Sequence, residues 1–193
     1  MLDTEDAMLL SGKKIAILAT HGFEQSELEI PLAKLKAAGA QVDVVSLAPG
    51  EIKGWDKKDW GQPVKVDKTL DQVSAADYDA LVLPGGQINP DLLRVEPKAL
   101  AFIKEIYNQK KVLAAVCHAP WLLIETGIIK GKKVTSYKSI KTDVMNAGGK
   151  WEDSEVVNDL GLITSRNPGD LEAFVTKIIE EVREGQHAQR SAA

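Results

Sequence analysis

The chain has 193 residues, 44% of them hydrophobic, which is enough for one sizeable core and short for two domains. A formal charge of −4 with no basic run leaves no electrostatic footprint for nucleic acid. One cysteine excludes an intrachain disulfide and any Cys-x-x-Cys metal site, and no apolar run approaches the ~20 residues that span a bilayer. With an acidic amino terminus where a secretory signal would be basic, the expected setting is the cytoplasm.

Residues 1–12 carry no apolar period and read as a leader; 184–193 read the same way, as a flexible tail. Between them, 13–183 form a single unit in which strands and helices alternate. Lys14 to Thr20 is strand-like, and Ser26 to Ala38 places Leu28, Leu32 and Leu35 at helical spacing before a stop at Gly39. Val42 to Leu47 is the next strand. Residues 49–67, with Trp55, Trp60 and the alternating Val64-Lys-Val66, suggest a small hairpin outside the sheet. Ala80-Leu-Val-Leu83 is a buried strand ending in Pro84-Gly85-Gly86, and a helix from Pro97 to Gln109 follows. Val112-Leu-Ala-Ala-Val116 has no polar residue and reads as a strand buried on both faces, followed by a short helix over Trp121 to Thr126 that stops at Gly127. Residues 133–166 are less regular, with short strands at Val134, Val156-Val157 and Leu162 to Thr164, and an antiparallel pair around Asp159-Leu-Gly161. Pro168 to Arg183 closes the chain as an amphipathic helix. The alternation predicts an α/β fold: a mostly parallel sheet with helices on both faces.

Three loops converge at the carboxyl edge of such a sheet, where open α/β proteins bind ligands: His21-Gly-Phe-Glu24, Pro84-Gly85-Gly86 and Cys117-His118. Cys117 falls where a strand turns into a helix, so unpaired N–H groups are expected to lower its pKa; as a lone cysteine it could equally fill core space. The backbone N–H groups of Gly86 and His118 are candidates for an oxyanion hole, against the alternative of an ordinary strand-ending turn. Glu24, at a helix entrance, is either a helix cap or the acid beside the sulfur, while Glu27 and Glu29 are assigned to the solvated face of the same helix. His118 adjoins the cysteine too closely for the usual base geometry and needs an acid from elsewhere to orient it. His21 is placed at the pocket wall and His187 in the solvated tail, and three such dispersed histidines make no metal site.

Phe23-Glu24-Gln-Ser-Glu27, Leu81-Val-Leu-Pro-Gly-Gly86, Ala115-Val-Cys-His-Ala-Pro120, Lys132-Lys-Val-Thr-Ser-Tyr137, Asn146-Ala-Gly148 and Thr164-Ser-Arg-Asn-Pro168 occur in order along the chain. Together they resemble the PfpI family of the class I glutamine amidotransferase-like superfamily, which also holds the parkinsonism-associated deglycase. The resemblance implies a flavodoxin-like three-layer sandwich, a reactive cysteine at Cys117, a neighbouring acid at Glu24, and His118 paired with an acid from a second subunit, for which Asp91 stands at roughly the family position. It implies homodimers or rings of dimers and no cofactor. Three roles follow from it: chemistry on reactive carbonyls of the glyoxalase or deglycase type, with a small aldehyde or a glycated substrate; cysteine peptidase activity on peptides; or a non-catalytic redox-sensing stress protein or chaperone.

Overall fold

The computed structural model describes residues 8–193. Its elements run β1 (Lys14–Leu18), α1 (Gln25–Ala37), β2 (Gln41–Ser46), β3 (Glu51–Asp56), β4 (Asp59–Lys65), β5 (Lys68–Thr69), β6 (Ala80–Leu83), α2 (Ile88–Leu93) and α3 (Pro97–Asn108). They continue with β7 (Val112–Val116), α4 (Pro120–Glu125), β8 (Lys133–Val134), α5 (Lys141–Asn146), β9 (Lys150–Trp151), β10 (Val157–Asp159), β11 (Leu162–Ser165) and α6 (Leu171–Glu184).

Seven strands form one sheet in the order β10-β11-β7-β6-β1-β2-β5, parallel except for β10 against β11. The central strands lack polar residues because both of their faces are covered. Ile15, Ile17, Val82, Ala114 and Val116 pack on the side of α1 and α6 with Leu28, Leu35, Phe174 and Ile178. Ala16, Leu18, Leu81, Leu83, Leu113 and Ala115 pack on the other side with Phe102, Ile103 and Ile106 of α3 and Leu122 and Leu123 of α4. This period of two divides each strand between two cores and gives the expected three layers, the flavodoxin-like arrangement. The hairpin β3–β4 stands apart from the sheet, and Leu160-Gly161, both at positive φ, turn β10 into antiparallel β11.

Two expectations at the ends of the chain are corrected. Of the leader, residues 1–7 lie outside the described residues, but Leu10 is fully buried in the core beside α1 and α6. The tail folds back: Arg190 is buried, its guanidinium lies 4.1 Å from the Tyr107 ring centre, and it donates to the carbonyls of Tyr107 (2.7 Å) and Lys111. Those carbonyls close α3 and lead into β7, where a cation is favoured. His187 is drawn in with it, 3.2 Å from the Glu181 carboxylate.

The strand order reverses between β1 and β6, and the loops leaving those strands meet at the carboxyl edge, where Thr20 N donates to Asn89 Oδ1 (2.8 Å) and Glu24 N to Gly85 O (3.3 Å). Residues 19–24 and 84–89 form that junction, and β7 delivers Cys117 beside it.

Candidate active site

Cys117 is the first residue after β7 and has φ +64°, a left-handed conformation that is strained for a side chain other than glycine. Its N–H donates to Ser165 O (3.0 Å) at the end of β11, and its carbonyl accepts from Tyr137 N (2.8 Å), so both flanking peptides are tied down. The thiol is 5% exposed. This is the elbow that the run of apolar residues followed by Pro120 suggested, with the side chain turned out of the strand.

The acid beside the sulfur is Glu27 and not Glu24. Glu24 is the N-cap of α1: its carboxylate accepts from Glu27 N (3.0 Å) and from the Ser26 hydroxyl. Glu27 points inward beside the Cys117 thiol, is wholly buried, and accepts from Gly85 N at 2.8 Å through Oε2. Its Oε1 has no partner among the described residues, so a proton can sit there without breaking a hydrogen bond. The assignment of Glu27 to the solvated face is therefore wrong, and the helix itself held the signal. Glu27, Pro31 and Leu35 follow one another at intervals of four, and all three are buried.

Burial, with the charge of Glu24 added, raises the Glu27 carboxyl from 4.5 to about 8. Burial also pushes the Cys117 thiol up, and an ionised Glu27 pushes it further, while the N–H groups of Gly86 and His118 act in the opposite direction. The expected depression of the thiol pKa is corrected on these grounds. An elbow stabilises a thiolate, but here a buried carboxyl shares the enclosure, and two adjacent anions in a site without solvent repel. Both N–H groups face the sulfur itself.

The glycines are required by space. A Cβ on Gly85 would lie 2.6 Å from Cys117 Cβ and 2.6 Å from Glu27 Oε2, and one on Gly86, at φ +79°, 2.6 Å from Gly22 O. Close backbone approach, not only turn formation, fixes these two residues.

His118 lies with Nδ1 3.1 Å from the Cys117 sulfur, a contact that adjacency in sequence did not suggest. Its Nε2 is 3.2 Å from Ser139 Oγ, its ring stacks on Tyr137 at 4.8 Å, and Trp121 meets it edge-on. Burial lowers its pKa, so the imidazole is neutral at pH 7 and has one donor and one acceptor nitrogen. The Ser139 hydroxyl can serve either, and so takes the orienting place for which an acid was expected. Asp91 lies in the first turn of α2, exposed, with no hydrogen bond or ion pair to His118 among the described residues. His21 is exposed and accepts from Lys53 N at 3.1 Å, outside the Cys117 cluster. Ser139 carried no sequence signal, and Tyr137 only that of ending the Lys132-Lys-Val-Thr-Ser-Tyr137 motif, because their role arises from a loop folding over the elbow.

Among the described residues no group of three or more metal-ligating side chains converges, and no helix is long and apolar enough to cross a membrane. The site can therefore do what a nucleophilic sulfur, a carboxyl that titrates near neutrality and a neutral imidazole can do: covalent attack with proton transfer.

Comparison with known proteins identifies the family. Residues 13–181 match the model of the DJ-1/PfpI family. Deglycase PfpI from Pyrococcus furiosus is 41% identical over 167 residues, covering 86% of this chain and 98% of the relative. YraA from Bacillus subtilis, named as a candidate cysteine protease, is 44% identical over 163 residues, covering 84% and 94%. The crystal structure of Drosophila melanogaster DJ-1beta superposes with a TM-score of 0.81 at 32% identity, over 92% of this chain and 94% of that one. With the family motif spanning nearly the whole fold and the elbow cysteine at its centre, the chain belongs to the DJ-1/PfpI family.

Proposed function

We propose that this protein is a cysteine-dependent enzyme acting on reactive carbonyls, of the glyoxalase or deglycase type, and that it works in the cytoplasm. The observation that supports this most is the pair formed by Cys117 and a fully buried Glu27 raised to about 8. A carboxyl titrating near working pH is suited to take a proton and return it within one cycle. In the proposed step, ionised Glu27 accepts the thiol proton as the Cys117 sulfur bonds to the aldehyde carbon. The carbonyl π pair moves to oxygen, and Glu27 returns the proton there, leaving a neutral thiohemiacetal and a carboxylate again.

A second reading, cysteine peptidase, is supported by the 3.1 Å contact of His118 Nδ1 with the sulfur and by the name of the Bacillus subtilis relative. It is weaker here, since the in-chain partner of His118 is the Ser139 hydroxyl and not a carboxylate. Mass-resolved incubation with methylglyoxal, glycated amino acids and a peptide panel, with Cys117→Ala as blank, separates the two. Carbonyl substrates should disappear only with the parent; peptide cleavage without carbonyl turnover would reverse the assignment.

A further inference from the structure

Asn89 lies at the second position of α2, outside the Cys117 cluster, and is completely buried. A buried carboxamide is costly unless its groups are paired, and this one is paired throughout. Its Oδ1 accepts from Thr20 N (2.8 Å), and its Nδ2 donates to Pro84 O (2.9 Å) and Gly85 O (3.3 Å). The network fixes the amide orientation, since the opposite one would set an NH2 against an N–H and an oxygen against two carbonyls.

The two carbonyls belong to consecutive peptide units. In a trans planar peptide the C=O and the following N–H point in opposite directions, and the described chain has no cis bond. Holding Pro84 O toward Asn89 therefore turns Gly85 N–H the other way, where it meets Glu27 Oε2 at 2.8 Å. Holding Gly85 O, which also accepts from Glu24 N (3.3 Å), turns Gly86 N–H the other way, toward the Cys117 sulfur and the Glu27 carboxyl beside it. Without side chains of their own, Gly85 and Gly86 are the residues whose peptides flip most easily.

We infer that Asn89 is a positioning residue: its single NH2 group sets the direction of two successive peptide planes, so that one N–H is delivered to the Glu27 carboxyl and the next to the Cys117 sulfur. The inference rests on Cys117 being the nucleophile, as proposed above, but not on what it attacks. Both N–H groups favour the charged form of their acceptor. Loss of their aim raises both titrations, which a purely structural asparagine would not do.

The test reads Cys117 alkylation by iodoacetamide against pH in the parent, Asn89→Leu and Asn89→Ser, on protein recovered folded by gel filtration and near-UV circular dichroism. Leucine has nearly the same size and shape, with neither a donor nor a charge. We expect its alkylation midpoint to rise by about one pH unit and its rate at pH 7 to fall about tenfold. Serine keeps one donor and leaves room for a water, so it should fall between the two. A folded Asn89→Leu whose midpoint matches the parent's overturns the inference, whatever its melting temperature. Should neither variant fold, hydrogen exchange in the parent decides: the Gly85 and Gly86 amides should be protected, and rapid exchange of both overturns it. Because alkylation needs no substrate, absence of carbonyl turnover in the parent would defeat the functional reading and leave this result standing.

Discussion

Replacing Glu27 with glutamine should make the protein more stable and inactive. In the unfolded chain the carboxyl ionises near its ordinary 4.5, whereas in the fold burial holds it protonated up to about 8. A group with a raised folded pKa contributes stability that is fully present below the unfolded value and is lost as pH rises through the folded one. The loss here runs from pH 4.5 to about 8, and at about 1.4 kcal/mol per unit it reaches about 3 kcal/mol at pH 7 and about 5 kcal/mol above pH 8. Glutamine keeps the shape and can accept from Gly85 N, but it has no charge to lose. The difference in melting temperature between Glu27→Gln and the parent should be smallest at pH 5. It should grow with pH to roughly 6–12 °C at pH 7, on about 2–4 °C per kcal/mol for a chain of this size. Differential scanning calorimetry at pH 5, 6, 7 and 8.5 reads it directly. Parallel curves for the two proteins across that range would refute the buried, protonated carboxyl and with it the assignment of Glu27.

Turnover of a carbonyl substrate by the parent should climb with pH and level off above about 8, because Glu27 must be ionised to accept the thiol proton; a profile falling over that range would remove it as base. Gly85→Ala should be inactive and less stable by about 1–3 kcal/mol, since its methyl would overlap Cys117 and Glu27, and a fully active variant would show that the loop relaxes freely. If the proposed second copy supplies Asp91 to His118, mixing inactive Cys117→Ala with inactive Asp91→Ala subunits should restore about half of one pair's activity under exchange. No recovery after proven exchange would leave Ser139 as the partner of His118.

Much of this was legible in the chain. Alternation of apolar segments with helical spacing yields the parallel sheet, and the Val112–Val116 run followed by Cys117 and Pro120 marks the elbow, because a strand buried on both faces favours an unbroken apolar run. Glu27 was hidden by a rule that holds for most glutamates: charged residues on an amphipathic helix face water. Its place on the stripe with Pro31 and Leu35 outweighs that rule only once the stripe is known to contain Pro31. Arg190 was hidden similarly, since a polar tail without apolar period gives no sign that one guanidinium will stack on Tyr107 and gather backbone carbonyls. Ser139 acts on His118 across a loop fold, and Asn89 ties its own turn at Pro84 and Gly85 to Thr20 after β1, an arrangement that no periodic pattern encodes.

The central claim, that the Cys117 sulfur attacks a carbonyl with Glu27 moving the proton, is tested most directly by following carbon-13-labelled methylglyoxal by NMR with the parent, Cys117→Ser and Glu27→Gln. The account predicts conversion to lactate by the parent and loss of at least about a hundredfold in both variants, each still folded. Undiminished conversion by either variant, or none by the parent, would contradict it.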